Sequence, residues 1–509
     1  MDKIKNIDFK KSVLIPGVIL FFILFLLNGI SRNKFFRIDL TDNNMYSLST
    51  SSESVVEQVD DLLTMKVYFS DDLPGEYANN RRYLQDILEE YAAISKGKIR
   101  FEFFVPNSDD ELEKEAQKSG VQPVQLSVIE RDEAVVKNVF MGVAIYFEDK
   151  REVIPLVLST TGLEYEITTR IKKLVEKDKK FVGMVDPDND NVLTNTFSQI
   201  LRQRYEVRPI DLSNEIPNNI NVLILTGVKD SLDVNKYDHL KNFMYNGGNM
   251  FVALNPLSVD LQTQKAEAFQ SDVFDLLKPY GFTLTENLVL DKNCGRVNVM
   301  QDMGFMRMNV PMEYPFLPII RTFNKDEDLV NGLEQVHVFF STEIQFDSVG
   351  TNVNTVPLFS SSNKSGVMTG FYNLSPDPKQ NPQLRNLNQS GKVIAARSDL
   401  TNNETGLVSQ LILVADNRFL TDGGGGGVPE NHIFMMNAID FLMGDKDLMA
   451  LRSREITDRS LNEELVTDDA KSTWKWINGL LPSLLIVGFG FWRFQMHKRT
   501  MKLIEEMYD

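Results

Sequence analysis

Two uncharged apolar segments, one near each end of the chain, constrain its fold most strongly. The first is Ser12–Ile30 and the second is Trp476–Trp492. About 20 apolar residues span the hydrocarbon core of a bilayer. The second segment is slightly short, but the charged ends of Lys475 and Arg493 can reach the interface. We therefore predict two transmembrane helices, over residues 12–30 and 474–494.

Basic residues flanking these segments predict the orientation. Four lysines precede the first segment and four basic residues follow the second: Lys3, Lys5, Lys10, Lys11, His497, Lys498, Arg499 and Lys502. Because cytoplasmic flanks are enriched in Lys and Arg, residues 1–11 and 495–509 are expected in the cytoplasm. The first apolar run exceeds a signal-peptide core and has no A-x-A site, which favours an uncleaved anchor. We expect a two-pass protein of the cytoplasmic (inner) membrane with a periplasmic main region.

Composition excludes several classes of function. The chain has 54 Lys+Arg against 71 Asp+Glu, a formal net charge of -17. Nucleic acids are held mainly by cations on phosphates, so this chain is a poor candidate for binding them. Cys294 is the single cysteine, which excludes an intramolecular disulfide framework and a cysteine-clustered metal site.

The exterior region divides into two α/β parts. Residues 36–160 give the order strand–helix–strand, helix, strand–strand, which is that of a thioredoxin-like domain. The chain contains no C-x-x-C, so thiol redox chemistry is excluded. Residues 161–180 form a charged connecting helix.

The larger part, residues 181–461, alternates continuous apolar strands with amphipathic helices. This pattern predicts a doubly wound, mostly parallel sheet covered on both faces, in a flavodoxin- or amidotransferase-like domain. One of the predicted helices is residues 266–282. Strands and long polar loops are inserted after Arg296. Residues 462–473 form a juxtamembrane segment.

Two loops resemble ligand sites only superficially. Asp186, Asp188 and Asp190 follow a strand, but Phe197 occupies the twelfth position of an EF-hand loop and no glycine follows Asp190. These aspartates are weak metal candidates, and a turn that caps the next helix is favoured. The glycine run in Thr421–Pro429 lacks the Gly-Lys-Ser/Thr of a phosphate loop, which favours a flexible connection.

Cys294 is a candidate nucleophile, with a histidine as its base. The histidines that would serve as its base are His239, His337, His432 and His497, the last of which is cytoplasmic in the predicted topology. No nucleophile-elbow motif surrounds Cys294, so a structural cysteine is favoured. We therefore predict no catalytic residue, no cofactor and no enzymatic activity.

The segment from Gly444 to Leu461 is unusually rich in paired charges. Arginines alternate with acids here, which predicts local surface ion pairs rather than an anion site. Its apolar residues Leu448, Met449, Leu451 and Ile456 are expected to dock on the α/β body. We predict a structural coupling element between that body and the second membrane helix, whose residues are Gly444, Asp445, Arg452, Arg454, Asp458 and Arg459, with Asp447 and Glu455 as further acids.

Several stretches resemble one family. They include "LVADNRFL", "NHIFMMNAIDFLMGDKDLMALRSREITDRSL", "FRIDLTDNNMYSLSTSS", "VYFSDDLP", "GVQPVQLSVIERD", "NGGNMFVALNP", "LTENLVLD" and "YPFLP". Together they resemble the gliding-motility ABC transporter accessory proteins of the GldG type, in the ABC-transporter auxiliary superfamily, which are often described as substrate-binding.

The resemblance implies a non-enzymatic, membrane-anchored accessory subunit linked to gliding motility or secretion. Its partners would be permease and ATPase subunits on separate chains, the lipid bilayer and other motility or secretion components, and its exterior region would bind partner proteins or substrate. It carries no catalytic residue. Two alternatives stay open: a membrane-anchored amidotransferase- or hydrolase-like enzyme, and an independent solute-binding receptor.

The predicted topology can be tested by thiol labelling on a Cys294→Ser background. A cysteine introduced at Asn363 should react with a membrane-impermeant reagent in intact spheroplasts, whereas a cysteine at Lys5 should react only after lysis. The opposite labelling pattern would contradict the topology.

Overall fold

A computed structural model describes Leu20 and residues 47–71, 73, 75–130, 133–177, 179–185, 194–302, 307–348, 350–389, 391–445, 448–449, 451–452 and 468–508. The chain divides into two compact units, residues 1–456 and 457–509. The larger unit combines helices with several sheets, which confirms the predicted α/β class. Apart from Leu20, the first predicted membrane segment lies outside the described residues.

The amino-terminal part of the larger unit, here called the first region, covers residues 47–177. Its helices are α1 (Thr50–Glu57), α2 (Gly75–Ile94), α3 (Asp110–Lys118) and α4 (Leu163–Val175). Its strands are β1 (Leu63–Phe69), β2 (Ile99–Phe104), β3 (Val124–Glu130), β4 (Glu133–Val139), β5 (Met141–Phe147) and β6 (Lys150–Ile154).

Four of these strands form one sheet in the order β2-β1-β5-β6, and β3 and β4 form a separate hairpin. Strand β1 is parallel to β2 and antiparallel to β5. Alternate β1 residues point to opposite faces. Met65 and Val67 pack with apolar residues of α1, α2 and α4. Tyr68 packs on the other face with Ala116 of α3.

The rest of the larger unit, here called the second region, covers residues 179–452. Its helices are α5 (Asn195–Arg202), α6 (Val234–Tyr245) and α7 (Pro429–Leu442). Its first nine strands are β7 (Phe181–Val185), β8 (Glu206–Ile210), β9 (Ile220–Leu225), β10 (Asn249–Ala253), β11 (Leu257–Asp260), β12 (Lys265–Ala268), β13 (Phe282–Leu284), β14 (Asn287–Asp291) and β15 (Cys294–Asp302). The others are β16 (Arg307–Ile320), β17 (Thr322–Phe323), β18 (Val336–His337), β19 (Ile344–Phe346), β20 (Val353–Ser360), β21 (Ser365–Thr369), β22 (Tyr372–Asn373), β23 (Val393–Thr401) and β24 (Val408–Val414).

An eight-stranded sheet in the order β17-β20-β23-β24-β10-β9-β7-β8 is the centre of the second region. The pairings from β8 through β24 are parallel, as predicted. The pairings from β24 through β23 and β20 to β17 are antiparallel, so the sheet is mixed. The short turn between β23 and β24 accounts for the antiparallel pairing of these two strands, because a hairpin connection can join only antiparallel strands.

Both faces of this sheet are buried. Val222, Ile224 and Phe251 pack on one face with apolar residues of α5 and α7. Leu223, Leu225 and Val252 alternate with them and pack on the other face with α6. Strands buried on both faces read as continuous apolar runs, which is why the sequence identified them.

The helix predicted over residues 266–282 is wrong. Ala266 belongs to β12, which pairs with β11 and β22, and only short 3-10 turns follow, over Asp272–Leu276 and Lys278–Tyr280. Pro279 lacks the backbone N–H that an α-helix needs at its interior, and Gly281 at φ 79° ends the segment.

The smaller unit contains helix α8, Asp468–Tyr508. Within it, Ser472–Met501 is long and apolar enough to cross a membrane by length and composition, and it is the one such helix among the described residues. The second predicted membrane segment, 474–494, lies inside this helix. The chain therefore has a candidate membrane anchor near its carboxyl end.

The glycine run is an ordered turn rather than the flexible connection predicted. Residues Gly425–Gly427 form a 3-10 turn, and Gly425 donates a backbone hydrogen bond to the Arg418 carbonyl at 3.1 Å. A Cβ atom on Gly425 would overlap the Phe419 carbonyl oxygen. Asp422, at the start of the run, accepts N–H bonds from Asn195 (3.2 Å) and Thr196 (2.9 Å) in the first turn of α5. The glycines thus allow a close approach of two backbone segments.

Replacing Gly425 with alanine should lower the free energy of unfolding by about 1–3 kcal/mol, because the added methyl meets a fixed carbonyl. Gly423→Ala is the matched control, since a Cβ there has no neighbour within 4 Å. The control should change stability by less than about 0.5 kcal/mol. Chemical denaturation measures both values. Equal stabilities of the two variants would contradict the close backbone contact at Gly425.

Candidate functional site

The end of helix α7 forms a turn that places an acid beside the helix terminus. Gly444 adopts φ 79°, a left-handed conformation that glycine tolerates best. Its N–H donates to the Phe441 carbonyl at 3.0 Å, and the Asp445 N–H donates to the Asp440 carbonyl at 2.7 Å. These two bonds make a Schellman motif. The helix therefore ends at Gly444, and this turn fixes where Asp445 lies.

Three cations converge on the buried carboxylate of Asp445. Lys172 of α4 donates to Oδ1 at 2.5 Å. Lys180, directly before β7, and Arg204, shortly before β8, each donate to Oδ2 at 3.0 Å. The side chain of Asp445 is 7% exposed and that of Arg204 is 2% exposed. A carboxylate buried this deeply is tolerated because it is paired and hydrogen-bonded.

Two neighbouring acids extend this network. Glu176 accepts from Arg204 at 2.7 Å. Asp440, on the last turn of α7, is fully buried and accepts from the Tyr205 hydroxyl at 2.6 Å. The Arg204 guanidinium also lies over the Tyr205 ring, 5.2 Å from its centre. Adjacent residues 204 and 205 therefore contact both Asp445 and Asp440.

Arg452 is a buried member of the network, so the predicted surface ion pairing is wrong for this residue. Its Nη2 donates to Asp440 Oδ2 at 2.6 Å, and it also hydrogen-bonds Asn437 and the Tyr165 hydroxyl. Its guanidinium lies 4.6 Å from the centre of the Tyr165 ring. The sequence interpretation offset Arg452 and Arg454 with the nearby acids Asp445 and Asp447, whereas the structure pairs Arg452 with Asp440.

Helix α4 joins the two regions through two different faces. Ile167, Ile171 and Leu174 pack into the core of the first region. Tyr165 and Lys172 are seven residues apart, hence on one side of the helix, and they contact Arg452 and Asp445 respectively. We call the whole set the junction network. It consists of Tyr165, Lys172, Glu176, Lys180, Arg204, Tyr205, Asn437, Asp440, Asp445 and Arg452.

The charges in the junction network hold one another ionised. Burial alone would raise the pKa of Asp445, but Lys172, Arg204 and Lys180 outweigh burial and lower it below its ordinary value. Burial would likewise lower the pKa of the Arg452 guanidinium, but Tyr165 and Asp440 raise it. The pKa of Tyr205 is raised by burial and by Asp440, so its hydroxyl stays a donor.

The other residues that were predicted for the coupling element or for a metal site divide into two groups. Leu448, Met449 and Leu451 are buried, in agreement with the expected docking on the body. The others lie outside the described residues: Asp447, Arg454, Glu455, Ile456, Asp458 and Arg459 of the coupling element, and the weak metal candidates Asp186, Asp188 and Asp190. Of the six predicted coupling residues, the structure brings Asp445 and Arg452 into one network and gives Gly444 its turn.

The structure separates Cys294 from the histidine nearest to it in the sheet. Cys294 is opposite Pro318 of β16, and His337 is opposite Ile319 of the same strand. Successive residues of a strand point to opposite faces, so Cys294 and His337 lie on opposite faces. Burial also raises the pKa of the Cys294 thiol to about 11, which disfavours the thiolate at neutral pH.

The other histidines have structural contacts. His239 Nδ1 lies 2.8 Å from the Leu212 carbonyl oxygen, and His432 Nε2 lies 2.8 Å from that of Gly426. His497 is in helix α8 of the smaller unit. Among the described residues, no group of three or more His, Cys, Asp or Glu side chains is arranged to hold a metal ion.

Sequence reasoning missed Lys172, Arg204 and Asp440. The available signal was Asp440, a single acid within the apolar run of α7, because a charged residue in a buried helix requires a partner. Lys172 and Arg204 had no comparable signal, since each lies in a stretch rich in exposed charge. Their burial results from packing between distant segments.

Replacing Asp445 with asparagine should lower the free energy of unfolding at pH 7 by about 3–5 kcal/mol, because three cations lose their shared partner. The folded-state pKa of Asp445 is below the ordinary 3.8, so its stabilisation is present above that pH and is lost as the pH falls through the folded value. The difference between wild type and variant should therefore shrink below pH 3.8.

Denaturation at several pH values measures this difference. Asp326→Asn, at an exposed aspartate, is the control and should be nearly neutral throughout. A pH-independent difference for Asp445→Asn would show that the carboxylate charge is not what matters.

Known proteins resemble this chain over most of its length. A family model described as "ABC-type uncharacterized transport system" matches residues 169–449, and a domain of unknown function matches residues 42–146. An uncharacterized protein of Borreliella burgdorferi is 24% identical over 490 residues, covering 91% of this chain and 94% of the relative. The family match includes every residue of the junction network except Tyr165 and Arg452.

Solved structures give only distant likenesses. The N-terminal domain of mmIFT52 has a TM-score of 0.34 and 14% identity, covering 52% of this chain and 97% of that one. A putative ThuA-like protein of Bacteroides uniformis has a TM-score of 0.30 and 12% identity, covering 52% and 93%. TM-scores this low have no bearing on function. The match of the family model to more than half of the sequence shows that the chain belongs to the family of ABC-type uncharacterized transport systems.

Proposed function

We propose that this protein is a non-enzymatic, membrane-anchored accessory subunit of an ABC transporter complex, and that it transmits contacts between exterior partners and its membrane anchor. Permease and ATPase subunits on separate chains are its partners. The observation that carries the proposal is the junction network. It binds the first region, the eight-stranded sheet and the segment at Arg452 into one body.

The physical reason for the proposal is the stiffness that the junction network gives to the larger unit. A subunit that couples partner contacts to a membrane anchor must be rigid between the two. A flexible linker would be rich in Gly and Ser. Here Leu448, Met449 and Leu451 are buried, and Arg452 is anchored by hydrogen bonds. Arg452 is therefore held in place on the second region.

The proposed location is the cytoplasmic membrane, with two passes, both termini in the cytoplasm and the α/β region in the periplasm. The candidate span Ser472–Met501 supports the carboxyl-terminal anchor. The apolar segment 12–30 and the basic flanks at both ends support the second pass and the orientation. The link to gliding motility and secretion rests on the quoted stretches that resemble the GldG type.

A thioredoxin-like fold is proposed for the first region. The strand order β2-β1-β5-β6, with β1 parallel to β2 and antiparallel to β5, supports it. The hairpin of β3 and β4 is an insertion in that order. The absence of C-x-x-C from the sequence makes this a binding or packing domain rather than a redox domain.

The non-enzymatic role has its own support. Cys294 has a raised pKa and lies on the opposite sheet face from His337. The fully buried Asp416 has a pKa raised by burial to about 7, but both of its oxygens accept backbone N–H bonds, from Phe339 (2.7 Å) and Arg418 (2.8 Å). These hydrogen bonds support a structural role for the Asp416 side chain.

Purification in mild detergent tests the accessory role. The wild-type chain should bring a permease and an ATPase with it. A flexible Gly-Ser segment inserted after Leu461 should leave that association intact but prevent the gene from complementing a deletion strain, because the body is uncoupled from its anchor. The same insertion after Gly370, in an exposed turn, is the matched control and should complement fully.

Two results would contradict the proposal. Absence of both transporter subunits from the wild-type preparation would remove the accessory role. Full complementation by the Leu461 insertion would mean that the segment is only a tether.

A further inference from the structure

One edge of the sheet in the first region is open to pairing with a further strand. Strand β2 stands at the end of the sheet order β2-β1-β5-β6, and within the described ranges its strand partner is β1. Its sequence, IRFEFF, has three phenylalanines and no proline. An edge strand of this kind presents a row of backbone donors and acceptors to another chain.

The other edges of the two main sheets are protected. Strand β6, at the opposite edge of the same sheet, begins with the exposed charges of Lys150 and Arg151. In the eight-stranded sheet, β8 contains Pro209, which has no N–H to donate, and β17 is two residues long. Charge, proline and shortness are the usual means of blocking an edge. Strand β2 is six residues long and contains no proline, so its edge stays available.

The backbone bonds between β1 and β2 show which β2 residues face outward. The Leu63 N–H donates to the Lys98 carbonyl at 2.8 Å, so the backbone of Lys98 faces β1. The backbone groups of successive residues point to opposite sides of a strand. Ile99, Phe101 and Phe103 therefore direct their N–H and C=O groups away from β1.

Most of these outward groups are unused. The Ile99 N–H donates to Ser95 Oγ at 3.0 Å. Among the described residues, the N–H groups of Phe101 and Phe103 have no hydrogen-bond partner, and neither do the carbonyl oxygens of Ile99 and Phe101. The edge can therefore extend the ladder to one more strand.

Two charges make β2 complementary to a second copy of itself. Arg100 and Glu102 are exposed, and neither forms an ion pair with another described residue. Lys66, opposite Glu102 in β1, is paired with Glu115 at 2.7 Å instead. If two copies of β2 pair antiparallel about a two-fold axis at Phe101, Arg100 of each copy lies opposite Glu102 of the other. These are non-hydrogen-bonded positions, where facing side chains are closest.

The charges also select the register. Moving the axis by one residue along the strand would place two copies of Arg100, or two copies of Glu102, opposite each other. Like charges directly opposite are destabilising. With the axis at Phe101, the two copies of Phe101 exchange N–H···O bonds, and Phe103 donates to Ile99 of the other copy. The aromatic rings of Phe101 and Phe103, partly buried against the core of the first region, then gain cross-strand contacts.

We propose that this protein forms a two-fold symmetric dimer in which β2 pairs antiparallel with β2 of a second copy, centred on Phe101. The surface is the same on both copies, as a two-fold interface requires. The sheets of the two first regions then form one continuous sheet. The accessory role proposed above neither requires nor supplies this pairing.

The membrane is the setting in which this dimer should be measured. One strand pair covers less surface than a stable interface between soluble proteins does. The candidate span Ser472–Met501 would confine the copies to one bilayer, which raises their effective concentration. The tests therefore use the full-length chain.

Disulfide cross-linking in membranes tests the register. On a Cys294→Ser background, two differently tagged chains are co-expressed, one with Arg100→Cys and the other with Glu102→Cys. Mild oxidation should join them, because the facing Cα atoms would lie about 4.5 Å apart. The matched control is two tagged chains that both carry Arg100→Cys. Their cysteines would be about 8 Å apart, two residues out of register, and should cross-link at least about tenfold less.

Charge exchange tests the complementarity. Arg100→Glu or Glu102→Arg alone places like charges opposite each other in both halves of the dimer, and should raise the dimer Kd in mild detergent by at least about tenfold. The double variant, Arg100→Glu with Glu102→Arg, restores opposite charges and should restore the wild-type Kd. Arg202→Glu, at an exposed arginine of α5, is the control and should leave the Kd unchanged. Analytical ultracentrifugation measures these constants, and all variants should keep the wild-type thermal unfolding transition.

Three results would overturn the pairing: a wild-type chain that stays monomeric, equal cross-linking by the two cysteine combinations, and a double variant that remains as weak as the single ones. If the wild-type chain recovers a permease and an ATPase but forms no dimer, only the pairing fails. If it forms the dimer without those subunits, only the accessory role fails.

Discussion

The carboxylate of Asp445 is the point on which the arrangement of the larger unit depends. One oxygen accepts from Lys172 in the first region, and the other accepts from Lys180 and Arg204 in the second. Buried ion pairs of this kind add little net stability compared with apolar packing, since desolvation offsets the attraction. Removing one partner is costly, however, because the other charges are left buried. The network therefore selects one relative placement of the two regions and disfavours others.

The junction network lies at one edge of the eight-stranded sheet. Lys180 and Arg204 precede β7 and β8, so the network lies at the amino ends of the parallel strands. In open α/β sheets ligands usually bind at the carboxyl edge. Here the contacts that join the two regions lie at the amino edge instead.

The sequence predicted those features that depend on local pattern. Apolar strands such as β9 and β10 and the candidate membrane span in α8 were identifiable, because each is a continuous apolar run in the sequence. The helix predicted over 266–282 failed because its apolar spacing also fits strand β12 followed by short turns. The ionic partners of Asp445 were not predictable, since Lys172 and Asp445 are 273 residues apart. Arg452 was expected in surface ion pairs with nearby acids, whereas it is buried and pairs with Asp440 of α7.

Scanning calorimetry of the full chain, combined with hydrogen exchange, tests most directly whether the two regions are one mechanical body. The account predicts a single cooperative transition for the larger unit, with amides of β1 and β5 losing protection together with those of β9 and β10. A first region that melts separately, at a lower temperature and with the eight-stranded sheet still protected, would contradict it.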